Sequence, residues 1–494
     1  MLPAARPRAL PHSDASMPPT DHRPAREPRS PREVLALIRQ EDLQAVDLRF
    51  LDLLGSHKHI TIPAMSLTED SFDQGFTFDA SSLRGWQSVH ESDLLLMPQS
   101  ECAAVDPLMD RTLAILCHIK DPITHLDYPR DPRNIARKAI GYMRRSGTAD
   151  VAAVATEIEF FVFDEVAYDV SRNAASYRVT SGEGDWARGQ GGSGHNLRRR
   201  EGYLSIPPAD SLQTLRTDLM RTLEASEIGV RSQRHETASG GQCGVDLEPC
   251  ELLTAADNLL RLKYFARNLA AASGQSATFM PKPIYGDNGS GLHLGLSLWQ
   301  DGEPLFAGSG YGGLSEDAFF ALGGVLQHGA ALAAFCCPTT NSYKRLVPGF
   351  DAPINLVYSL RNRSAAVRVP PPASDPKQAR FEFRLPDASC NPYLALSAVL
   401  MAMLDGIESR IDPGPALEKD IYDLEPEQLT ELRPAPASLE ESLTALQRDH
   451  DFLLRGDVFT KDVIQTWVAD KSQRELEPLR TRPHPWEFAM YYDA

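Results

Sequence analysis

Apolar residues recur at helical spacing in REVLALIRQ, just after Pro31-Arg32, and change to strand alternation in VDLRFLDLLG and HKHITIPA. The change of period predicts a helix followed by a β-hairpin, opening a small mixed domain over residues 33–127. Proline-bounded DYPRDPRNIARKAIGYMRRSG starts a new helix with Gly147 placed to cap its C-terminus, and a larger domain, residues 128–494, begins there. Further stretches read as strands. VAAVATEIEFFVF is apolar on both sides of two carboxylates, and RFEFRLPD alternates charged and apolar positions. YGDNGSGLHLGLSL is a tight turn of Gly286, Asp287, Asn288 and Gly289 that opens a strand carrying His293. Residues 181–202 are glycine-rich without periodicity and read as a mobile loop.

Composition narrows the class. A chain of 494 residues exceeds one ordinary core. Its formal charge of −17 and pI near 5.3 exclude nucleic-acid binding by phosphate neutralisation. Residues 1–32 hold eight prolines and six arginines with almost no large apolar side chain, which predicts a disordered tail. That tail has neither the apolar segment of a secretory signal nor the amphipathic helix of a transit peptide, and Met17 offers a second candidate start. The cysteines, Cys102, Cys117, Cys243, Cys250, Cys336, Cys337 and Cys390, show no CxxC pair and read as reduced thiols of a cytoplasmic protein. The longest apolar stretches, such as YLALSAVLMAMLDGI, fall short of the roughly 20 residues that span a bilayer. No membrane partner is expected.

The candidate chemistry is carried by charge inside apolar strands. Period two turns Glu157 and Glu159 to one face, and two like charges in an apolar strand are tolerated when a cation sits between them. A half-exposed amphipathic strand would read the same way, but the flanking VAAVA and FFVF look buried on both faces. Glu382 and Arg384 repeat the device with mixed sign. His293 is either a satisfied core residue or a ligand. Lys344, Arg345, Arg361, Arg363 and Arg368 form a local basic cluster in an acidic chain, and guanidinium forks suit carboxylate and phosphoryl oxygens. Carboxylates for a divalent metal together with arginines for phosphate point to phosphoryl transfer from a nucleotide, although no Walker or kinase signature is present. One stretch, RHETASGGQCGV (residues 234–245), reads either as a phosphate cradle or as a ligand strand lacking a ligand.

FDASSLRGW, ATEIEFFVF, FMPKPIYGDNGSGLH, TTNSYKRLVPGF, RNRSAAVR, NPYLALSAVLMAMLDGI and RPHPWEF resemble bacterial type I glutamine synthetases from about residue 33 to the C-terminus. The resemblance implies an α+β protein: an N-terminal β-grasp domain and a catalytic α/β domain of the glutamine synthetase/guanido kinase type, assembled as a homododecamer of two stacked hexameric rings. It implies ATP-dependent ligation of glutamate and ammonia, or another amine, through γ-glutamyl phosphate, with Mg²⁺ or Mn²⁺ as cofactor. Position by position, Glu157, His293 and Glu382 match ligands of a nucleotide-side metal, and Glu159 and Glu236 match two ligands of a glutamate-side metal. Gly289, His293, Arg345 and Arg384, with Glu159, match the glutamate site. Arg363 and Arg368 match the arginines that meet the transferred phosphoryl group, and Ser297 the nucleotide pocket. Asp79 matches the aspartate that a neighbouring subunit supplies to bind ammonium and take its proton. Tyr422 matches a tyrosine that some members adenylylate; as a residue of an exposed loop it has a plain alternative reading.

The chain departs from that pattern at three positions. Gly244 stands where a third carboxylate is expected, Gly295 where a second histidine is expected, and Asp351 where a flap glutamate is expected. The glutamate-side site therefore keeps two carboxylates, a number Mg²⁺ tolerates by taking water. Asp246 shares the strand face of residue 244 but lies about 6.6 Å along it, so it would serve only through a water. Shorter side chains at the reacting centre suggest two readings beside glutamine synthesis. One is a ligase for a bulkier amine such as a polyamine or ethanolamine; the other is a catalytically impaired paralogue with a regulatory or structural role. RHETASGGQCGV is thereby a ligand strand rather than a phosphate cradle.

Overall fold

The computed structural model describes residues 29–87, 91–187, 194–360, 362–371, 375–419 and 432–494. The first helix, α1 (Pro31–Gln40), begins slightly ahead of the boundary expected at residue 33 because Ser30 caps it. The Ser30 hydroxyl accepts from the Glu33 amide, and the Glu33 carboxylate accepts from the Ser30 amide at 2.6 Å. The rest of the expected tail, residues 1–28, lies outside the described residues. Strands β1 (Ala45–Leu51) and β2 (His57–Pro63) form the expected antiparallel hairpin. With β3 (Phe76–Asp79), β4 (Asp93–Pro98), β5 (Ala104–Val105) and β6 (Thr112–Lys120) they make one sheet in the order β2-β1-β6-β4-β3, β5 pairing β6.

Helix α2 (Pro132–Ser146) opens on an Asp131 cap with proline in its first turn and closes on Gly147 at φ 73°, as its sequence requires. The larger sheet starts at β7 (Val151–Phe163). After it come an exposed hairpin, β8 (Glu165–Val170) and β9 (Ala175–Thr180), helix α3 (Gln213–Ala225), β10 (Val230–His235), β11 (Gln242–Leu247) and β12 (Cys250–Glu251). Helix α4 (Leu252–Ala272), β13 (Ser276–Thr278), β14 (Leu292–Gln300), β15 (Glu303–Pro304), helices α5 (Glu316–Gln327) and α6 (Gly329–Cys336), β16 (Asn355–Ser359), β17 (Ala365–Arg368), β18 (Phe381–Phe383) and α7 (Pro392–Glu408) complete the catalytic body. The sheet runs β10-β11-β7-β14-β18-β17-β16.

One face of this sheet is core and the other is open. Along β7 residues 152, 154, 156, 158 and 160 are buried, while Ala153, Ala155, Glu157 and Glu159 are half-exposed. The expectation of burial on both faces therefore holds only for residues 160–163, since the other face is half-exposed at the carboxylates. Helix α7 is buried along nearly its whole length, and no single described helix is long and apolar enough to cross a membrane. Asn391 donates to the carbonyls of Asp52 and Leu53, and Arg84 forks onto Asp470 at 2.6 Å, tying the small sheet to the large body.

Of the loop expected over residues 181–202, residues 188–193 lie outside the described residues. The described part is pinned by the buried Glu183, whose carboxylate accepts from the Ser211 hydroxyl at 2.9 Å and meets His235 Nε2 at 3.2 Å. All seven cysteines are free, and burial pushes the thiols of Cys102, Cys243 and Cys390 up to about 12.

Candidate active site

Strand register gathers the charged side chains on the open sheet face. Opposite Glu157 stand His293 of β14 on one side and Asp246 of β11 on the other. Gly244 lies between Glu159 of β7 and Arg234 of β10. Farther across, Glu382 of β18 pairs Gly295 and Arg368 of β17. This face floors a cleft of about 370 Å³ that Gly289, Arg345, Asp351, Arg363 and Arg384 also line.

In the half around His293, Nδ1 is buried without a hydrogen-bond partner, 3.3 Å from a Glu157 oxygen and 4.0 Å from a Glu382 oxygen. Ligand atoms of Glu157, Glu159 and His293 lie within 4.8 Å of one another. An orphaned imidazole nitrogen facing carboxylates fits a divalent cation. Glu382 is gripped at 2.5 Å by both Arg368 and Arg384. Burial alone would raise its carboxyl, but Arg384, His293 and Arg368 outweigh that and hold it at about 2. Glu157 is likewise held well below the carboxylate range, burial being outweighed by His293 and Arg234. Glu159 accepts the Gly291 amide at 2.7 Å.

The half around Glu236 is built differently. Arg234, which the sequence reading did not single out, ion-pairs with Glu157, with Glu236 at 2.7 Å and with Asp246 at 2.8 Å. Asp246 Oδ2 also accepts from the Ser232 hydroxyl at 2.5 Å, while its Oδ1 is buried without a hydrogen-bond partner among the described residues. The room expected at Gly244 is taken: a Cβ there would fall on the Glu236 carboxylate. At Gly295 an added Cβ would meet Ala155 Cβ at 3.3 Å and Arg380 Cδ at 3.4 Å, close to ordinary contact. Burial and the neighbouring Glu159 push the Glu236 carboxyl up, against the pull of Arg234.

The remaining candidates fall in several places. Arg345 is buried and donates to the carbonyls of Leu385 and Arg384 at 2.9 and 3.1 Å, which aims it along the cleft floor beside Gly289. Arg363 is exposed at the rim. Asp351, at φ 55°, accepts from Asn288 Nδ2 at 2.9 Å, a strap the sequence did not reveal. Lys282 caps the neighbouring Phe350 ring at 3.8 Å from its centroid. Ser297 lies two alternations along β14 from His293, outside the cleft lining, and its oxygen accepts from Trp299 Nε1 at 3.0 Å. Asp79 is exposed on β3, bonded to Ser81 and away from this chain's cleft. His235 points to the opposite face, toward Glu183. Tyr422 and Arg361 lie outside the described residues.

Residues 42–122 match the family described as glutamine synthetase, beta-Grasp domain, and residues 129–491 match glutamine synthetase, catalytic domain. The chain belongs to the glutamine synthetase family. It is 50% identical over 467 residues to the glutamine synthetase of Frankia alni, covering 93% of this chain and 98% of that one. The Aquifex aeolicus glutamine synthetase is 48% identical, with 94% and 99% covered. Among solved structures, the Plasmodium falciparum glutamine synthetase superposes with a TM-score of 0.87 at 29% identity, covering 94% of this chain and 99% of that one. A GmaS/ADP complex superposes at 0.78 and 26% identity, with 93% and 99% covered.

Proposed function

We propose that this protein is an ATP-dependent ligase that joins glutamate and ammonia through γ-glutamyl phosphate, releasing glutamine, ADP and phosphate. The observation that carries the reading is the convergence of an unpartnered buried imidazole, paired carboxylates and several guanidinium groups in one cleft. Glu157, His293 and Glu382, with Glu159 beside them, would hold Mg²⁺ or Mn²⁺, which when bound supplies charge neutralisation at phosphoryl oxygens. Arg345 and Arg384, with Gly289, would seat the glutamate. Arg363 at the rim and Arg368 across Glu382 would meet the phosphoryl group as it passes from ATP to the γ-carboxylate, each offering a two-pronged donor. Asp351, steadied by Asn288, would close the cleft over the acyl phosphate so that ammonia rather than water displaces the phosphate.

Asp79 would act in the site of a neighbouring subunit, binding ammonium and taking its proton. Its exposure, away from its own cleft, supports that reading. So does the C-terminal helix Pro485–Tyr491, which leaves Trp486, Phe488, Met490, Tyr491 and Tyr492 exposed and calls for a partner surface of the same assembly. We take that assembly to be a homododecamer of two stacked hexameric rings in the cytoplasm. A second reading, ligation of a bulkier amine, is supported by Asp351, one methylene shorter than the glutamate expected on the flap. Phosphate release by the purified protein with ATP, Mg²⁺ and glutamate, measured against a panel of amines that includes ammonium, separates them. Turnover with ammonium is expected; turnover confined to larger amines would establish the second reading, and none with any amine would establish a non-catalytic assembly.

A further inference from the structure

Arg234 stands between Glu157 of the metal grouping and the carboxylates of Glu236 and Asp246. Its guanidinium touches Glu157, Glu236 and Asp246, and its side chain is only 14% exposed. Unpaired buried carboxylates repel one another and need a counter-charge from a metal or from a basic side chain. Among the described residues, the grouping with metal-ligand spacing in this cleft is Glu157, Glu159 and His293, and Glu236 is not part of it. Gly244 completes the arrangement. With no side chain at 244, the Glu236 carboxylate folds into that space and reaches Arg234. A glycine in place of a carboxylate removes one negative charge, and the guanidinium adds one positive charge. Together they shift this half of the site by two units, the charge of one divalent ion.

We propose that Arg234 is a built-in cation standing in for the glutamate-side metal, so that each chain binds one divalent ion, centred on His293, instead of two. The inference rests on the cleft being the metal and phosphate site proposed above. Counting ions tests it without requiring turnover, so its failure and the failure of the proposed activity are told apart.

The test is the number of Mn²⁺ ions bound per chain of the full-length protein after chelator treatment, by equilibrium dialysis, together with the electron paramagnetic resonance spectrum. One tightly held ion with the spectrum of an isolated Mn²⁺ is expected, falling to none in His293→Ala. Arg234→Lys should stay at one, and the Arg234→Gln/Gly244→Glu double variant should rise to two with the spectrum of a coupled pair. Two ions, or none, in the unaltered protein would overturn the proposal, and so would a folded double variant that still binds one. If the double variant does not fold, the count and spectrum of the unaltered protein decide alone.

Discussion

The two halves of the cleft stand on the same sheet and solve the same electrostatic problem in different ways. Around His293, Glu157 and Glu382 face a buried nitrogen that makes no hydrogen bond among the described residues. Around Glu236, the carboxylates face Arg234, which the protein supplies itself, although Arg234 Nε, Glu236 Oε1 and Asp246 Oδ1 make no hydrogen bond among the described residues. Arginines pair carboxylates in both halves, but only the first also offers an unbonded imidazole nitrogen to an arriving cation. The difference shows that a carboxylate cluster identifies a need for positive charge and does not by itself say who provides it.

The largest effect expected is at the open half. His293→Ala should lower phosphate release on the order of a thousandfold, the scale of losing a principal stabiliser of transition-state charge; activity within tenfold of the unaltered protein would break the assignment of that half. Next, Arg234→Gln should destabilise the fold by about 3–5 kcal/mol, because it strands buried carboxylates. Added Mn²⁺ should restore much of the melting temperature in this variant, and a loss that Mn²⁺ does not touch would mean that the guanidinium is not filling a cation's place. Gly244→Glu alone should cost about 1–3 kcal/mol, read from urea unfolding, since the new side chain must displace Glu236 from the space it fills.

The smallest effect concerns the flap and sharpens the account of the open half. Burial, with Arg200 and Arg345 nearby, lowers the Lys282 ammonium to about 8 against the pull of Asp287. Below that pH the charge sits against the Phe350 ring, a contact of about 0.5–2 kcal/mol. As pH rises through 8 the contact is lost. The folded value lies below the ordinary 10.5, so deprotonation favours the folded chain and stability rises across that window. The loss therefore appears as a basic limb in kcat/KM, and Lys282→Arg, which keeps its charge, should move that limb to higher pH.

Local periodicity made much of this legible. The hairpin of β1 and β2, the helix closed by Gly147 and the paired face of Glu157 and Glu159 all follow from spacing within a few residues. What spacing alone could not supply was register between distant strands. Arg234 is 77 residues from Glu157 in the chain, and only the pairing of β10, β11 and β7 brings them together. A local signal did exist, since Arg234 and Glu236 are two apart and share a face, whereas the adjacent His235 turns inward to Glu183. The glycines of RHETASGGQCGV were also not separable by sequence. Gly240 makes way for Trp186 and Ile284 at 2.6 Å, Gly241 adopts φ 83°, and Gly244 alone shapes the site. Room vacated by a missing side chain is a property of the neighbours that move into it, which is why the space at Gly244 is filled by Glu236.

The most direct test of a site with one arriving and one built-in cation is anomalous diffraction at the manganese edge from crystals of the protein equilibrated with Mn²⁺. The account predicts a single peak among His293, Glu157 and Glu159 or Glu382, with the Arg234 guanidinium in contact with Glu236 and Asp246. A second peak between Glu159 and Glu236, with Arg234 turned away, would contradict it.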